Sequence, residues 1–414
     1  MFTPHVLGAT FPYVPDLWDA GERERVRERV ARDLPWTLTR EQPFTFCGVG
    51  RGWNGSRAYG HLTSRAVFRS RGSLALDGPL AWLAHLEGAL RLAHRRSVLI
   101  AAPSPKSGLG AAIARVIAPA RVRLVVRVQG SGASRDLYVN DAPWRSRLKH
   151  ALQSAVIRRA DLVVPMGEFT RELALRLGAK PESVIVVPFV VWWEDEARVT
   201  DLPERPTALF AGRLEKEKGV HILLEAMASV FHAVPDSRFI VAGEGRLRGE
   251  LERRVEQLGV QDRVEMLGWV QRKDIQSVYE RAWVLVLPSL LEEGLGMVLV
   301  EAGLKGRAVI GSDRGGITDV VRHGENGLLV TPGDAASLAN ALVAILGDRE
   351  KARRMGQAGT RIAGAYLAAR AEALGRFERA VDELMGSCSV RARTREPQSE
   401  FPRKPRIGAS RRAR

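Results

Sequence analysis

Two acidic residues eight positions apart, Glu293 and Glu301, bracket a glycine-rich turn that leads into an apolar stretch of helical character, Glu293-Gly-Leu-Gly-Met-Val-Leu-Val-Glu301. Gly294 and Gly296 let the backbone approach a ligand closely. The free N–H groups at a helix start can take sugar hydroxyls or phosphate oxygens. Glu301, two turns inside the expected helix, is placed to reach back to a vicinal diol such as a ribose. An ordinary strand–loop–helix with two solvated glutamates would read the same way, so the weight falls on the neighbouring loops. Gly212-Arg-Leu-Glu-Lys-Glu-Lys-Gly219 follows another strand, and Arg213 and Lys218 would project from it. Cations there suit a diphosphate that gains charge as it departs, although a surface loop of mixed charge has the same letters. A third loop, within Gly311 to Val330, carries Gly315 and Gly316.

Other patterns carry less. Gly50-Arg-Gly-Trp-Asn-Gly55 has the GxGxxG spacing, but the residues after it do not open the helix that a dinucleotide site needs. Ser104 to Gly110 before an apolar helix reads as an anion-facing turn or as simple capping. No Asp-x-Asp triplet occurs, the eight histidines show no close ligand pairing, and Cys47 and Cys388 make neither a disulfide framework nor a metal cluster. No metal and no cofactor is expected.

These loops need strands and helices to hold them. In the second half short apolar runs alternate with helical patterns. The strands are Thr207–Ala211, Arg238–Ala242, Val264–Leu267, Trp283–Leu287, Ala308–Ile310 and Gly327–Val330. Helices fill Val220–His232, Leu247–Leu258, Lys273–Arg281, a stretch from Gly296, and Ala335–Leu346. Wholly apolar strands between helices imply a parallel sheet covered on both faces, whose ligands sit at the carboxyl ends of the strands. The first half repeats the grammar with strands at Thr45–Cys47, Ser97–Ala101, Arg123–Val128, Asp161–Val164 and Ser183–Val187. Helices are expected over Leu80–Ala93 and Trp144–Arg159.

The chain has 414 residues, 45% hydrophobic and 27% charged, which suits two soluble globular domains. Its longest apolar run, Val184 to Trp193, is interrupted by Pro188 and is about half of what spans a bilayer. No secretory layout opens the sequence, so a cytoplasmic location is expected. Of the formal net charge of +16, residues 387–414 hold +7, from nine Arg and Lys against Glu396 and Glu400. Such a tail is expected to be disordered. It is either plainly solvated or in peripheral contact with the anionic inner face of a membrane. Phe401 is its one aromatic residue, which argues against nucleic acid.

From Thr207 to about Leu346 the sequence resembles the donor domain of the family 4 GT-B glycosyltransferases, a large retaining group. The matching pieces are the Gly212–Gly219 loop, Ala242-Gly-Glu-Gly245, the Glu293–Glu301 segment and Gly315-Gly-Ile-Thr-Asp-Val-Val-Arg-His-Gly-Glu-Asn-Gly-Leu-Leu-Val330. The resemblance implies an α/β fold of two facing Rossmann-like, doubly wound domains with a deep cleft between them. It implies Arg213 and Lys218, with Gly212, at the donor diphosphate. Glu293 and the backbone of Gly294, Leu295, Gly296 and Met297 would meet the donor sugar, Glu301 the ribose, and Leu267 the base edge, with Glu244 and Arg246 near the nucleotide. Gly315 and Gly316 complete the donor side.

The first half departs from the family pattern: a single Gly8 stands after the first strand, Gln129-Gly130 where a His-Gly pair is common, and Pro188-Phe-Val-Val191 where Asn-Gly is common. Gly8, Gln129 and Gly130 are the acceptor-side candidates; Gln129 can hydrogen-bond but cannot act as acid or base near neutral pH.

The expected organisation is an acceptor-side domain over 1–190, a linker over 191–206 and a donor domain over 207–370. A helix over 371–386 crosses back to the first domain, and 387–414 is the basic tail. The implied activity is transfer from a nucleoside-diphosphate sugar to a saccharide, lipid-linked or small-molecule acceptor, in cell-envelope polysaccharide or glycolipid synthesis. A non-catalytic docking protein on the same scaffold and a sugar-nucleotide epimerase are the alternatives.

Overall fold

A computed structural model describes residues 3–7, 44–51, 55–59, 62–70, 90, 97–101, 108–130, 143–188, 199–271 and 274–385. They build two sheets. The first holds β1 (Thr3–Leu7), β2 (Phe44–Arg51), β3 (Gly55–Tyr59), β4 (Leu62–Ser70), β5 (Ser97–Ala101), β6 (Val122–Val128) and β7 (Leu162–Pro165). Their order is β3-β4-β2-β1-β5-β6-β7, parallel throughout except where β3 runs antiparallel to β4. Helices α1 (Gly108–Ile117), α2 (Pro143–Ile157) and α3 (Glu168–Arg176) accompany β5 to β7, and α1 and α2 share an apolar cluster with β5 and β6.

The second sheet holds β8 (Thr207–Ala211), β9 (Arg238–Ala242), β10 (Val264–Gly268), β11 (Val284–Leu287), β12 (Ala308–Ser312) and β13 (Gly327–Val330). It is wholly parallel, in the order β10-β9-β8-β11-β12-β13. Every residue of β8, β11 and β12 is buried, as a parallel sheet covered on both faces requires. Around it lie α4 (Val220–Ala233), α5 (Arg248–Gln257), α6 (Ile275–Glu280), α7 (Met297–Leu304), α8 (Ile317–Val320), α9 (Ala335–Leu346) and α10 (Arg349–Met385). The chain's direction of winding reverses between β8 and β11. The carboxyl ends of those two strands therefore flank the crevice where such sheets bind ligands.

Three expectations change. Ser183–Val187 is not a strand of the sheet: Val184 makes one isolated bridge to Val163, while the amides of Ile185 and Val187 donate to Val163 and Pro165. Residues 370 and 371 do not divide a domain from a crossing helix, because α10 runs unbroken for 37 residues. Its second half does cross back: Ala373, Phe377 and Val381 share one apolar cluster with Val98, Ile100 and Val125 of the first sheet. The linker is shorter than 191–206, since its second part is bolted to the second domain. The Trp283 indole donates to the Pro203 carbonyl at 2.8 Å, Arg349 donates to Leu202 at 2.6 Å, and the buried Arg307 guanidinium reaches Thr200 and Asp201. Burial lowers the Arg307 pKa to about 10. The GxGxxG stretch ends in the strand β3 and not in a helix, in keeping with the rejection of a dinucleotide site there. Of the helix expected over Leu80–Ala93 only Leu90 is described; Gly8, residues 104–107, 189–198 and the basic tail lie outside the described residues.

Candidate active site at the sheet crevice

The loops leaving β8 and β11 meet across the crevice. Lys218 ends a single 3-10 turn after β8, and its ammonium donates to Glu293 Oε1 at 2.6 Å. Ser289, fully buried just after Pro288 closes β11, donates to the same oxygen at 2.6 Å. Both charged side chains are largely buried, with 20% and 16% of their surface exposed, so the pair is shielded from solvent screening. The expectation put Lys218 on a diphosphate and Glu293 on a sugar; the structure joins them directly. An ammonium has three donors, so this contact is compatible with phosphate oxygens on the others. Arg213, more exposed, donates from Nη2 to Glu217 Oε1 at 3.1 Å.

Glu293 opens the turn into α7. Gly296 is the residue before the helix and has φ +74°, a conformation that β-carbon sterics disfavour in other residues. The turn sets the first amides of α7, beginning at Met297, at the same sheet edge, with the positive end of the helix dipole. Leu295 is buried and anchors the turn in the apolar core. Gly315 and Gly316 prove to be braces for this loop: the Gly316 amide donates to the Glu293 carbonyl at 2.8 Å, and a β-carbon on Gly316 would lie 2.2 Å from the Gly294 carbonyl oxygen.

The far side of Gly294 faces the first domain. A β-carbon on Gly294 would lie 2.6 Å from the Gln129 carbonyl oxygen, and one on Gly130 would lie 2.4 Å from Gly294 Cα. The two backbones touch, which brings the acceptor-side candidates Gln129 and Gly130 to the donor-side loop.

Glu301 is the fifth residue of α7, a little over one turn in, not two. Its Oε2 accepts from the Tyr279 hydroxyl at 2.5 Å. Burial, and then the neighbouring carboxylate, push the Tyr279 phenol well above its usual range, so it stays a neutral donor. Farther along the edge, Glu244 packs over Gly268 beside Leu267 and pairs with Arg248. Arg246 points away to Glu215, at 2.9 Å. Gly212 donates to Ala242, joining the β8 loop to the Ala242–Gly245 turn.

Reading the sequence missed Ser289 and Tyr279. Ser289 has a local signal, a Pro-Ser pair four residues before Glu293. Tyr279 has none, because its contact with Glu301 spans 22 residues and depends on how α6 and α7 pack. Among the described residues, no helix is long and apolar enough to cross a membrane, and no three His, Cys, Asp or Glu side chains cluster so as to hold a metal ion.

Known proteins agree with this layout. The Anabaena protein HepE in complex with UDP superposes with TM-score 0.65 at 21% identity, over 92% of this chain and 100% of that one. Sucrose-phosphate synthase from Thermosynechococcus elongatus gives TM-score 0.68 at 20% identity, over 92% and 100%. D-inositol 3-phosphate glycosyltransferase of Nocardia farcinica is 30% identical over 288 residues, 68% of this chain and 59% of that protein. Alpha-D-kanosaminyltransferase of Streptomyces kanamyceticus is 33% identical over 156 residues, 38% and 40%. The chain thus spans about half the length of these sequence relatives. A model of the glycosyl transferase 4-like domain matches residues 13–189, and one of the glycosyl transferases group 1 matches residues 193–362. With both sheets and the crevice between them accounted for, the chain belongs to the group 1 glycosyltransferases and has the GT-B fold.

Proposed function

We propose that this protein transfers a hexosyl-type unit from a nucleoside-diphosphate sugar to a saccharide, lipid-linked or small-molecule acceptor, with retention at the anomeric carbon. The observation that carries the reading is the Lys218–Glu293–Ser289 cluster at the point where the sheet reverses its winding. In this scheme Lys218, Arg213 and the first amides of α7 meet the charge that develops on the departing diphosphate. Glu293, oriented by Ser289 and Lys218, accepts from a donor-sugar hydroxyl, and Glu301 accepts from the ribose. The bond from the anomeric carbon to the phosphate oxygen breaks as a bond to the acceptor oxygen forms on the same face. The acceptor proton passes to the departing phosphate oxygen. No metal takes part in this scheme. Contact between the two domains at Gly130 and Gly294 keeps out water that would hydrolyse the donor.

The UDP named with HepE makes uridine diphosphate sugars the first donors to try. Thermal unfolding with UDP and with GDP, followed by a screen of nucleotide sugars with and without acceptors, tests the reading. Stabilisation by one nucleotide and its acceptor-dependent release are expected. A protein stabilised by neither nucleotide would be a scaffold, and a donor converted without nucleotide release would point to epimerisation. Proton NMR of the product's anomeric centre checks retention. The basic tail is proposed to hold an anionic membrane surface. Removal of residues 387–414 should then weaken binding to anionic liposomes at low salt, and unchanged binding would end that proposal.

A further inference from the structure

Helix α3 is only half capped from within: the Thr170 hydroxyl accepts from the Met166 and Gly167 amides ahead of the helix, at 2.9 and 3.0 Å. It begins after Gly167, which has no side chain to accept from the free first-turn amides. The amide of Phe169, at the second helical position, donates instead to Asp319 Oδ2 at 2.9 Å. Asp319 is 150 residues away, in α8 of the other domain, and a cap side chain normally serves this same amide from within its own helix. Gly167 also makes the room: a β-carbon there would lie 2.9 Å from Asp319 Oδ2 and 3.1 Å from Leu295 Cδ1. The carboxylate sits at the positive end of the α3 dipole as well.

Asp319 is fixed on its own side. Its amide donates to the Gly316 carbonyl at 3.1 Å, and its carbonyl accepts from the half-buried Tyr366 hydroxyl at 2.6 Å. The Gly316 amide in turn donates to Glu293. A continuous path of hydrogen bonds and short backbone therefore links α3 of the first domain to the main chain of Glu293, the residue whose carboxylate holds Lys218 and Ser289. It runs beside the contact of Gly130 with Gly294.

We propose that Asp319 is a positioning residue: it caps α3 from across the cleft when the domains meet, and so couples their contact to the seating of Glu293. The second half of this proposal rests on the donor-site reading above; the capping does not. A GT-B enzyme must part its domains to exchange ligands. Parting them here uncaps α3 and releases the Gly315–Gly316 brace from the first domain in one step.

Three variants test it: Asp319→Ala, Asp319→Asn and Gly167→Ser. Hydrogen exchange at the Phe169 amide, thermal shift with UDP and GDP, and turnover of UDP-glucose or whichever donor the screen finds are measured on the full chain. Asp319→Ala is expected to speed exchange at Phe169 about fivefold, the size of one lost cap, and to lower kcat by about fivefold or more. The nucleotide shift should persist. Asp319→Asn keeps an accepting oxygen and should recover most of both. Gly167→Ser gives α3 a cap of its own, so it stays folded with α3 protected, yet it crowds out Asp319 and should lower kcat as Asp319→Ala does. Unchanged exchange in Asp319→Ala overturns the capping. Wild-type kcat in Gly167→Ser overturns the coupling, even if Asp319→Ala fails to fold. Absence of any nucleotide shift in the wild type would instead sink the donor-site reading, while exchange at Phe169 still decides the capping.

Discussion

The two carboxylates that bracket the α7 turn are held by opposite kinds of chemistry. Glu293 is gripped by a charged ammonium and a serine hydroxyl in a loop that also touches the other domain. Glu301 accepts instead from a neutral phenol, Tyr279, whose ring is buried in the apolar core. The first arrangement can exchange partners, because Lys218 has a flexible stem and donors to share. The second is less able to, because the Tyr279 hydroxyl has a single proton to give on a short, rigid, buried side chain. A site that must respond to changing charge during a reaction wants the first at the reacting end. A site that only recognises an unchanging part of its ligand wants the second. Under the proposed function, this contrast puts the chemical step near Glu293 and recognition near Glu301.

Variants of the Glu293 end should cost the most. Lys218→Ala and Glu293→Ala are each expected to lower kcat/KM by roughly 100-fold or more, with circular dichroism unchanged. Lys218→Arg should not restore activity, since a planar fork does not replace a point donor between Glu293 and a phosphate. Wild-type turnover in Lys218→Ala at saturating donor would erase the distinction between the two ends. Next in size is Gly316→Ala. Its new methyl must displace the Gly294 carbonyl, so unfolding in urea should show a loss of about 1–3 kcal/mol, and UDP or GDP affinity by calorimetry should fall with it. Tyr279→Phe comes below both: it removes one hydrogen bond to a charged group and should raise the donor KM about tenfold, with kcat nearly unchanged. An equal fall in kcat would mean that Glu301 takes part in the chemical step, and the comparison would fail.

The same contrast explains what the sequence made legible. Strands β8 to β13 announce themselves because each is a short, mainly apolar run, and the loops after β8, β11 and β12 carry their chemistry within a few residues of the strand end. Lys218, Glu293 and Gly316 were therefore visible as candidates. Their mutual contacts were not, since those depend on the order β8-β11-β12, which no local pattern states. Ser183–Val187 misled for the converse reason: its apolar letters fit a strand, but only Val184 bridges β7. The boundary placed at 370 failed because α10 keeps a helical pattern across both domains, and a helix that serves two cores shows no break. Tyr279 and Asp319 were hidden by distance. Each acts on a partner brought to it by packing, across 22 and 150 residues.

The smallest effect separates the ends by pH. Tyr279 is neutral in the folded protein because burial, then the Glu301 carboxylate, oppose its ionisation, whereas in the unfolded chain a phenol titrates near its ordinary value of about 10. The folded pKa is raised, so the associated stability is fully present below about pH 10 and is lost as pH rises above it, with a slope approaching about 1.4 kcal/mol per pH unit for one proton. Tyr279→Phe removes that titration. Urea unfolding of both proteins on either side of pH 10 should show the wild type losing stability faster than the variant above it, with parallel curves below. Parallel curves throughout would mean that the phenol ionises as readily in the folded protein, which would make the Glu301 end as responsive to charge as the Glu293 end.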